Sequence, residues 1–162
     1  ILENLSEEGV QIRACSETMK RLEAHTQLKL KDASEEDWQT EYLELILSVK
    51  TVAGLDGAVE HINRYGSNHT DSIVTENRET AERFMDEVDS AGVFWNASTR
   101  FADGFRYGLG AEVGVSTGKT HARGPVGLEG MMIYKYKLYG SGQGAGSYNK
   151  REKTFLHQPL ES

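Results

Sequence analysis

Between Leu45 and Trp95 the chain alternates short apolar runs with stretches whose apolar residues return every three or four positions. Residues 45–52 form the first run. Ile46, Leu47, Val49 and Val52 give it the length and the apolar density of a strand buried on both faces. Leu55, Ala58, Val59 and Ile62 then fall at i, i+3, i+4 and i+7, the spacing that lines one face of an α-helix, and Gly66 stands where a left-handed C-cap would stop it. Residues 72–75 read as a second strand. Asn77 offers a side-chain oxygen to the first turn of a helix carrying Ala81, Phe84, Met85 and Val88 at the same spacing, and residues 92–95 form a third strand.

A β-α-β-α-β series predicts an α/β fold: a parallel sheet with helices on its faces, and ligands beyond the carboxyl ends of the strands, here Thr75 and Asn96. The start of the chain is less regular. Residues 2–8 read as the remnant of a helix, residues 11–15 as a strand, and Ser34 as a cap or turn ahead of Glu35. Beyond Asn96 the pattern changes, because 12 of the 17 glycines lie from Gly104 to Gly146. A flexible linker would be poor in aromatics, so Phe101, Phe105, Tyr107 and Tyr134 predict a long loop that packs. Residues 133–139 read as a terminal strand, and the polar stretch from Ser147 as a fraying tail.

Composition narrows the function classes. With 162 residues, 38% of them hydrophobic, the chain suffices for one core. A formal charge of −7, from 18 basic and 25 acidic side chains without a basic cluster, argues against nucleic acid or an anionic membrane as partner. The apolar runs are too short to cross a bilayer, and the first ten residues lack the form of a signal peptide, so a cytoplasmic location is expected. The one cysteine, Cys15, cannot form an internal disulfide and fits a small apolar packing role.

Two glycine-rich stretches imitate nucleotide motifs. The run Gly114–Thr120 ends in Gly-Lys-Thr, yet Val113 occupies the place of the first glycine of a phosphate-binding loop. Gly108, Gly110 and then Val113 likewise miss the third glycine of the dinucleotide fingerprint. What remains is a run of polar and cationic groups, Asn96, Ser98, Thr99, Arg100, Arg106, His121 and Arg123, set among glycines that let backbone approach a ligand. Such a set suits a small anionic substrate, since Arg binds a carboxylate or phosphate through two parallel hydrogen bonds. The alternative is that Arg100 and Arg123 pair with Asp103 or Glu129 at the surface.

The stretch Asp89-Ser90-Ala91-Gly92-Val93-Phe94-Trp95-Asn96-Ala97-Ser98-Thr99-Arg100-Phe101-Ala102-Asp103-Gly104, with Gly108–Thr117 and His121–Gly130 after it, resembles the signature of the γ-glutamyl phosphate reductase family of the aldehyde dehydrogenase superfamily. Milder resemblance reaches back through Glu41. It implies the C-terminal part of a three-layer α/β catalytic domain: residues 1–132 a catalytic-domain segment, 133–146 a terminal oligomerisation strand, 147–162 a polar tail. It also implies NADPH-dependent reduction of L-glutamyl 5-phosphate to glutamate 5-semialdehyde in proline biosynthesis, in a homo-oligomer, through a thioester on a cysteine expected upstream of Ile1.

On the same resemblance Cys15 is not the nucleophile, and the chain alone would be inactive. Glu41 matches the glutamate that accepts hydrogen bonds from the nicotinamide ribose, with Glu35, Glu36 and Glu44 as rival carboxylates. Asn96, Ser98, Thr99 and Arg100 match the substrate-anchoring loop. Asp103 or Glu112 would answer the substrate ammonium, and His121 is expected to make a structural hydrogen bond. A different class of reading is a non-catalytic assembly module that pairs through its terminal strand.

Overall fold

Helix α1 (Leu2–Glu7) leads into strand β1 (Gln11–Ala14), where Ile12 and Ala14 are buried and Gln11 and Arg13 face partly outward. That two-residue period is what a strand covered on one face requires. Helix α2 (Ser16–Arg21) follows at once, because the Cys15 sulfur accepts the Thr18 N–H at 3.4 Å and so caps its first turn. The chain returns as β2 (Leu30–Asp32), and β3 (Ile46–Val49) completes a parallel sheet of order β2-β1-β3. Ile12 pairs with Leu30 on one side and Leu47 on the other. The computed structural model describes residues 1–25 and 27–155, which divide into one unit of Ile1–Met132 and a second from Ile133 onward.

Helix α3 (Gly54–Tyr65), strand β4 (Thr70–Ile73), helix α4 (Arg78–Glu87) and strand β5 (Gly92–Trp95) come next. β4 and β5 pair in parallel, Ile73 opposite Trp95. Asn77 caps α4 through its Oδ1, which accepts the Thr80 N–H at 2.9 Å. The two helices bury Val59, Phe84 and Val88 together, with Leu55, Ile62, Met85, and the strand residues Ile73 and Val93 packed around them. Each such side chain removed from water contributes about 1.5–3 kcal/mol. This cluster fixes the depth at which β4 and β5 end, and so the place of the loops that follow them.

After β5 the chain loops back as an antiparallel pair, β6 (Gly114–Ser116) and β7 (Gly124–Val126), with Val115 opposite Pro125. Gly104 permits the return: a Cβ there would collide with the Ala111 carbonyl oxygen. The hairpin is tied to the residues before β5 by Asp89, which receives Lys119 Nζ at 2.5 Å and Arg123 Nη1 at 2.9 Å, while Arg123 Nη2 donates to the Asp89 carbonyl at 2.8 Å. In the second unit helix α5 (Gly146–Asn149) forms, and Tyr148 stacks on Phe155 with ring centroids 4.8 Å apart.

The α/β class and the order of elements agree with the sequence pattern, and the differences have physical reasons. The parallel strands are divided between two sheets of three and two strands. β3 is an edge strand, half-buried, with Leu47 37% exposed, so its apolar run is not covered on both faces. β4 starts at Thr70, earlier than the apolar pattern indicates, because pairing with Gly92 and Val93 recruits the polar Thr70 and Asp71. Gly66 ends α3 with φ −66° rather than in the left-handed region; what requires glycine is the Ile62 carbonyl oxygen, 2.6 Å from where a Cβ would sit. The β6–β7 pair has no alternating apolar signature. Residues 133–139 pair with no strand among the described residues, and Ile133, Tyr134, Tyr136, Leu138 and Tyr139 are all more than 80% exposed. Part of the tail is ordered as α5, and residues 156–162 lie outside the described residues. Among the described residues no helix is long and apolar enough to cross a membrane, and no group of His, Cys, Asp and Glu is placed to hold a metal ion.

Candidate functional site

Two clefts open at opposite ends of β4. The first lies beyond the carboxyl ends of β4 and β5 and is lined by Val74, Thr75, Glu76, Asn96, Ala97 and Ser98. Asn96 shapes it. Its backbone is left-handed, φ +52°, a conformation that Asn tolerates better than most residues. Its Oδ1 accepts the Thr75 N–H at 2.9 Å and its Nδ2 donates to the Thr75 carbonyl at 2.9 Å; the Trp95 indole donates to the same carbonyl at 2.8 Å. Ser72 Oγ donates to the Ala97 carbonyl at 2.8 Å, and Ser98 Oγ accepts the Arg100 N–H at 3.2 Å, starting the single turn Thr99–Phe101.

The expected anchoring residues therefore divide into two kinds. Asn96 and Ser98 are engaged with backbone and hold the loop in shape. The Thr99 side chain and the Arg100 guanidinium make no hydrogen bond or ion pair among the described residues, and both residues are exposed, which leaves their donors free for a ligand. Arg100 and Asp103 do not pair. Asp103 Oδ1 accepts the N–H groups of Phe105 and Arg106 at 2.9 and 3.1 Å, while the Arg106 guanidinium donates to the Arg100 carbonyl. Glu112, the other carboxylate weighed for a substrate ammonium, accepts the Gly104 N–H at 2.7 Å.

Arg123 pairs with Asp89 rather than with Glu129. Lys119 and Arg123 together hold the Asp89 carboxyl below the usual carboxylate range. His121 is exposed and makes no hydrogen bond among the described residues, contrary to the structural bond expected of it.

The second cleft, of about 490 Å³, precedes β4 and is lined by Trp38–Glu41, Tyr65–Ser67, His69 and Thr117. Of the four candidate carboxylates only Glu41 lines it. Glu35 is engaged by the Tyr65 hydroxyl, which holds its carboxyl low. Behind the cleft Lys50 Nζ lies 5.1 Å from the Trp38 ring centroid, 5.7 Å from that of Tyr65, and 3.4 Å from His61 Nδ1. Burial and the adjacent ammonium depress the His61 imidazolium. Trp38 and Tyr65 form aromatic walls of the cleft.

Sequence reasoning missed Asp37. It is 6% exposed, sits in the turn Glu35–Trp38, and completes a capping box with Ser34. The hydroxyl of Tyr42, the Ser34 N–H and the Arg13 guanidinium hold its carboxyl far below the usual range. A Ser-x-x-Asp spacing is the signal that marks it.

The two clefts share no residue. From His69 to Val74 the chain rises five residues, roughly 16 Å at a strand's rise of about 3.3 Å per residue. Glu41 and the turn Thr99–Phe101 therefore lie near opposite ends of β4. Cys15 lines neither cleft, and its sulfur is occupied in capping α2.

No protein-family model matches the chain. Curated relatives do. The chain is 66% identical over 128 residues to the γ-glutamyl phosphate reductase of Pelotomaculum thermopropionicum, covering 79% of this chain and 30% of that protein. It is 56% identical over 156 residues to that of Acetivibrio thermocellus, covering 96% and 35%. Among solved structures it is similar to the γ-glutamyl phosphate reductase of Thermotoga maritima, with a TM-score of 0.81 and 44% identity over 89% of this chain and 34% of that one. The chain spans about a third of the length of the curated relatives it matches.

Proposed function

This chain is a relative of the γ-glutamyl phosphate reductases over the third of their length that it spans, and from that premise we propose that it forms the cofactor-ribose and substrate-anchoring part of such a reductase. The reaction read from the resemblance is reduction of L-glutamyl 5-phosphate to glutamate 5-semialdehyde, with NADPH supplying the hydride, in the cytoplasm. The observation that carries this reading is the placement of uncommitted ligand-binding groups at both ends of β4, Glu41 at one and Thr99 with Arg100 at the other.

The chemistry fits each end. A carboxylate has two oxygens, so Glu41 can accept from both hydroxyls of a vicinal diol such as the nicotinamide ribose. The Arg100 guanidinium matches a carboxylate or an acyl phosphate in two-point geometry, and Thr99 adds a short-range donor. Asn96, with Trp95, keeps the anchoring loop rigid, which matters because misplacement of about 1 Å can cost a hundredfold in rate. The thiol that forms the covalent acyl intermediate is assigned to the part of the enzyme outside this chain. We further propose that the exposed apolar residues of the segment 133–139 pair with another subunit.

The test is NADP-dependent oxidation of glutamate 5-semialdehyde. The chain alone is expected to show none, because a covalent route needs a thiol at the reacting carbon. In the full-length enzyme Glu41→Gln should leave the melting temperature unchanged and lower turnover. Turnover by the isolated chain that disappears in Cys15→Ser would overturn the assignment.

A further inference from the structure

The four residues from Trp38 to Glu41 run between two groups that grip each other. Asp37 precedes them with its carboxylate buried, and Tyr42 follows them with its hydroxyl donating to Asp37 Oδ1 at 2.5 Å. Three further bonds complete the carboxylate's surroundings: Arg13 Nη1 at 2.6 Å, the Ser34 N–H at 2.6 Å and the Ser34 hydroxyl at 2.9 Å. Ser48 Oγ, on β3, stands 2.9 Å from both the Tyr42 oxygen and the Asp37 carbonyl oxygen, so its single proton serves one of them. Inside the loop the Thr40 hydroxyl donates to the Glu36 carbonyl at 2.7 Å. The Arg13 guanidinium also lies 4.9 Å from the Tyr42 ring centroid.

Two acidic residues of one short loop thus have opposite surroundings. Asp37 is satisfied by charge-assisted hydrogen bonds and takes no part in the cleft. Glu41 is exposed on the cleft wall and accepts no hydrogen bond among the described residues. Immediately after Tyr42, Leu43 adopts φ +53°, a left-handed conformation that crowds its Cβ against the backbone. Such a conformation persists where flanking contacts impose it. Here the Tyr42 bond lies on one side, and on the other the Gln11 N–H donates to the Leu45 carbonyl at 2.8 Å.

We infer that Asp37 and Tyr42 are positioning residues: their hydrogen bond closes residues 38–41 into a fixed loop and thereby sets the Glu41 carboxylate at the height in the cleft where it meets a vicinal diol. The inference rests on the reading of Glu41 as the ribose-binding group. Neither Asp37 nor Tyr42 lines the cleft, so both act through the loop they close, which carries Glu41.

The experiment is a double-mutant cycle in the full-length enzyme with NADPH as the probe. Tyr42→Phe removes one oxygen and keeps the ring. It is expected to lower kcat/KM for NADPH about five- to thirtyfold, to change KM for glutamyl phosphate less than twofold, and to speed amide hydrogen exchange in residues 38–43. Added to Glu41→Gln it should cause no further loss, because two groups that act through one contact are not additive. If Glu41→Gln lowers efficiency and Tyr42→Phe multiplies that loss, or affects both substrates equally, the positioning role is overturned and the Glu41 reading survives. If Glu41→Gln alone changes nothing, both fall together. Should Tyr42→Phe prove too unstable to assay, Ser48→Ala removes a hydroxyl from the same ring of hydrogen bonds and carries the same cycle.

Discussion

The Asn96 side-chain amide binds both the N–H and the C=O of Thr75, each at 2.9 Å, so that one residue after β5 locks the backbone of the residue two positions past the end of β4. A single side chain fastens the two strand ends between which the first cleft opens. The loop that bears Thr99 and Arg100 starts from this fastening.

Asn96→Ala should therefore be costly for a residue so near the surface. It removes two hydrogen bonds at about 0.5–1.5 kcal/mol each, and places alanine in a left-handed conformation at a further 1–2 kcal/mol or so. The expected destabilisation is about 2–5 kcal/mol in urea unfolding of the chain. Asn96→Gly, which relieves the backbone but not the missing bonds, should recover part of it. Equal losses in the two variants would mean that the left-handed backbone contributes nothing.

Arg100→Lys separates substrate reading from bulk charge. The guanidinium makes no ion pair among the described residues, so the substitution breaks nothing in the free protein. In the full-length enzyme, exchanging a two-point grip for a point charge should reduce kcat/KM for the glutamyl substrate about ten- to a hundredfold, at unchanged melting temperature. Wild-type efficiency would remove Arg100 from the anchoring set.

The buried Asp37 makes stability pH-dependent. Its folded-state pKa lies below the ordinary 3.8, so the unfolded chain binds the proton more readily. The stabilisation is complete above about pH 4 and is lost as pH falls further through the folded-state value. Thermal melts of the chain should show the midpoint falling as acid is added below about pH 4. Asp37→Asn should lie lower at neutral pH, since its amide must face Arg13 and the Ser34 N–H with one oxygen fewer, and should flatten that acid limb. An acid limb unchanged in Asp37→Asn would place its origin in other carboxylates.

Much of the central fold is legible in the sequence because its signals are local. Helical spacing marks α3 and α4, the Asn77 cap starts α4 in the way its side chain suggests, and the apolar Gly92–Trp95 run becomes β5. What the pattern hides is set by partners far along the chain. Thr70 and Asp71 join β4 because Gly92 and Val93 pair with them, and β6 and β7 are three-residue strands whose glycines and proline carry no alternation. The site divides in the same way. That a loop beyond Asn96 carries polar and cationic groups follows from its residue types, but that Asn96 and Ser98 are engaged internally while the side chains of Thr99 and Arg100 make no bond among the described residues depends on how the loop folds. The Ser-x-x-Asp spacing marks Asp37 as a helix-start residue, but its burial is hidden from the pattern, because one acidic residue among several looks like solvated surface until Arg13, 24 positions earlier, is brought to it.

The division into separate sheets also bears on how the chain acquires its structure. Among the described residues, 11–49 supply the strands of the first sheet, 70–95 those of the second, and 114–126 those of the third, so each of these sheets is built from one stretch of the sequence. Loop closure within such stretches carries a small entropy cost, and contacts of short sequence separation form early. During synthesis each sheet can close soon after its own stretch leaves the ribosome, in order from the N-terminus. The edges of the first sheet, β2 and β3, pair with no further strand among the described residues, so their open backbone groups are where this polypeptide is most exposed to wrong pairing with another chain.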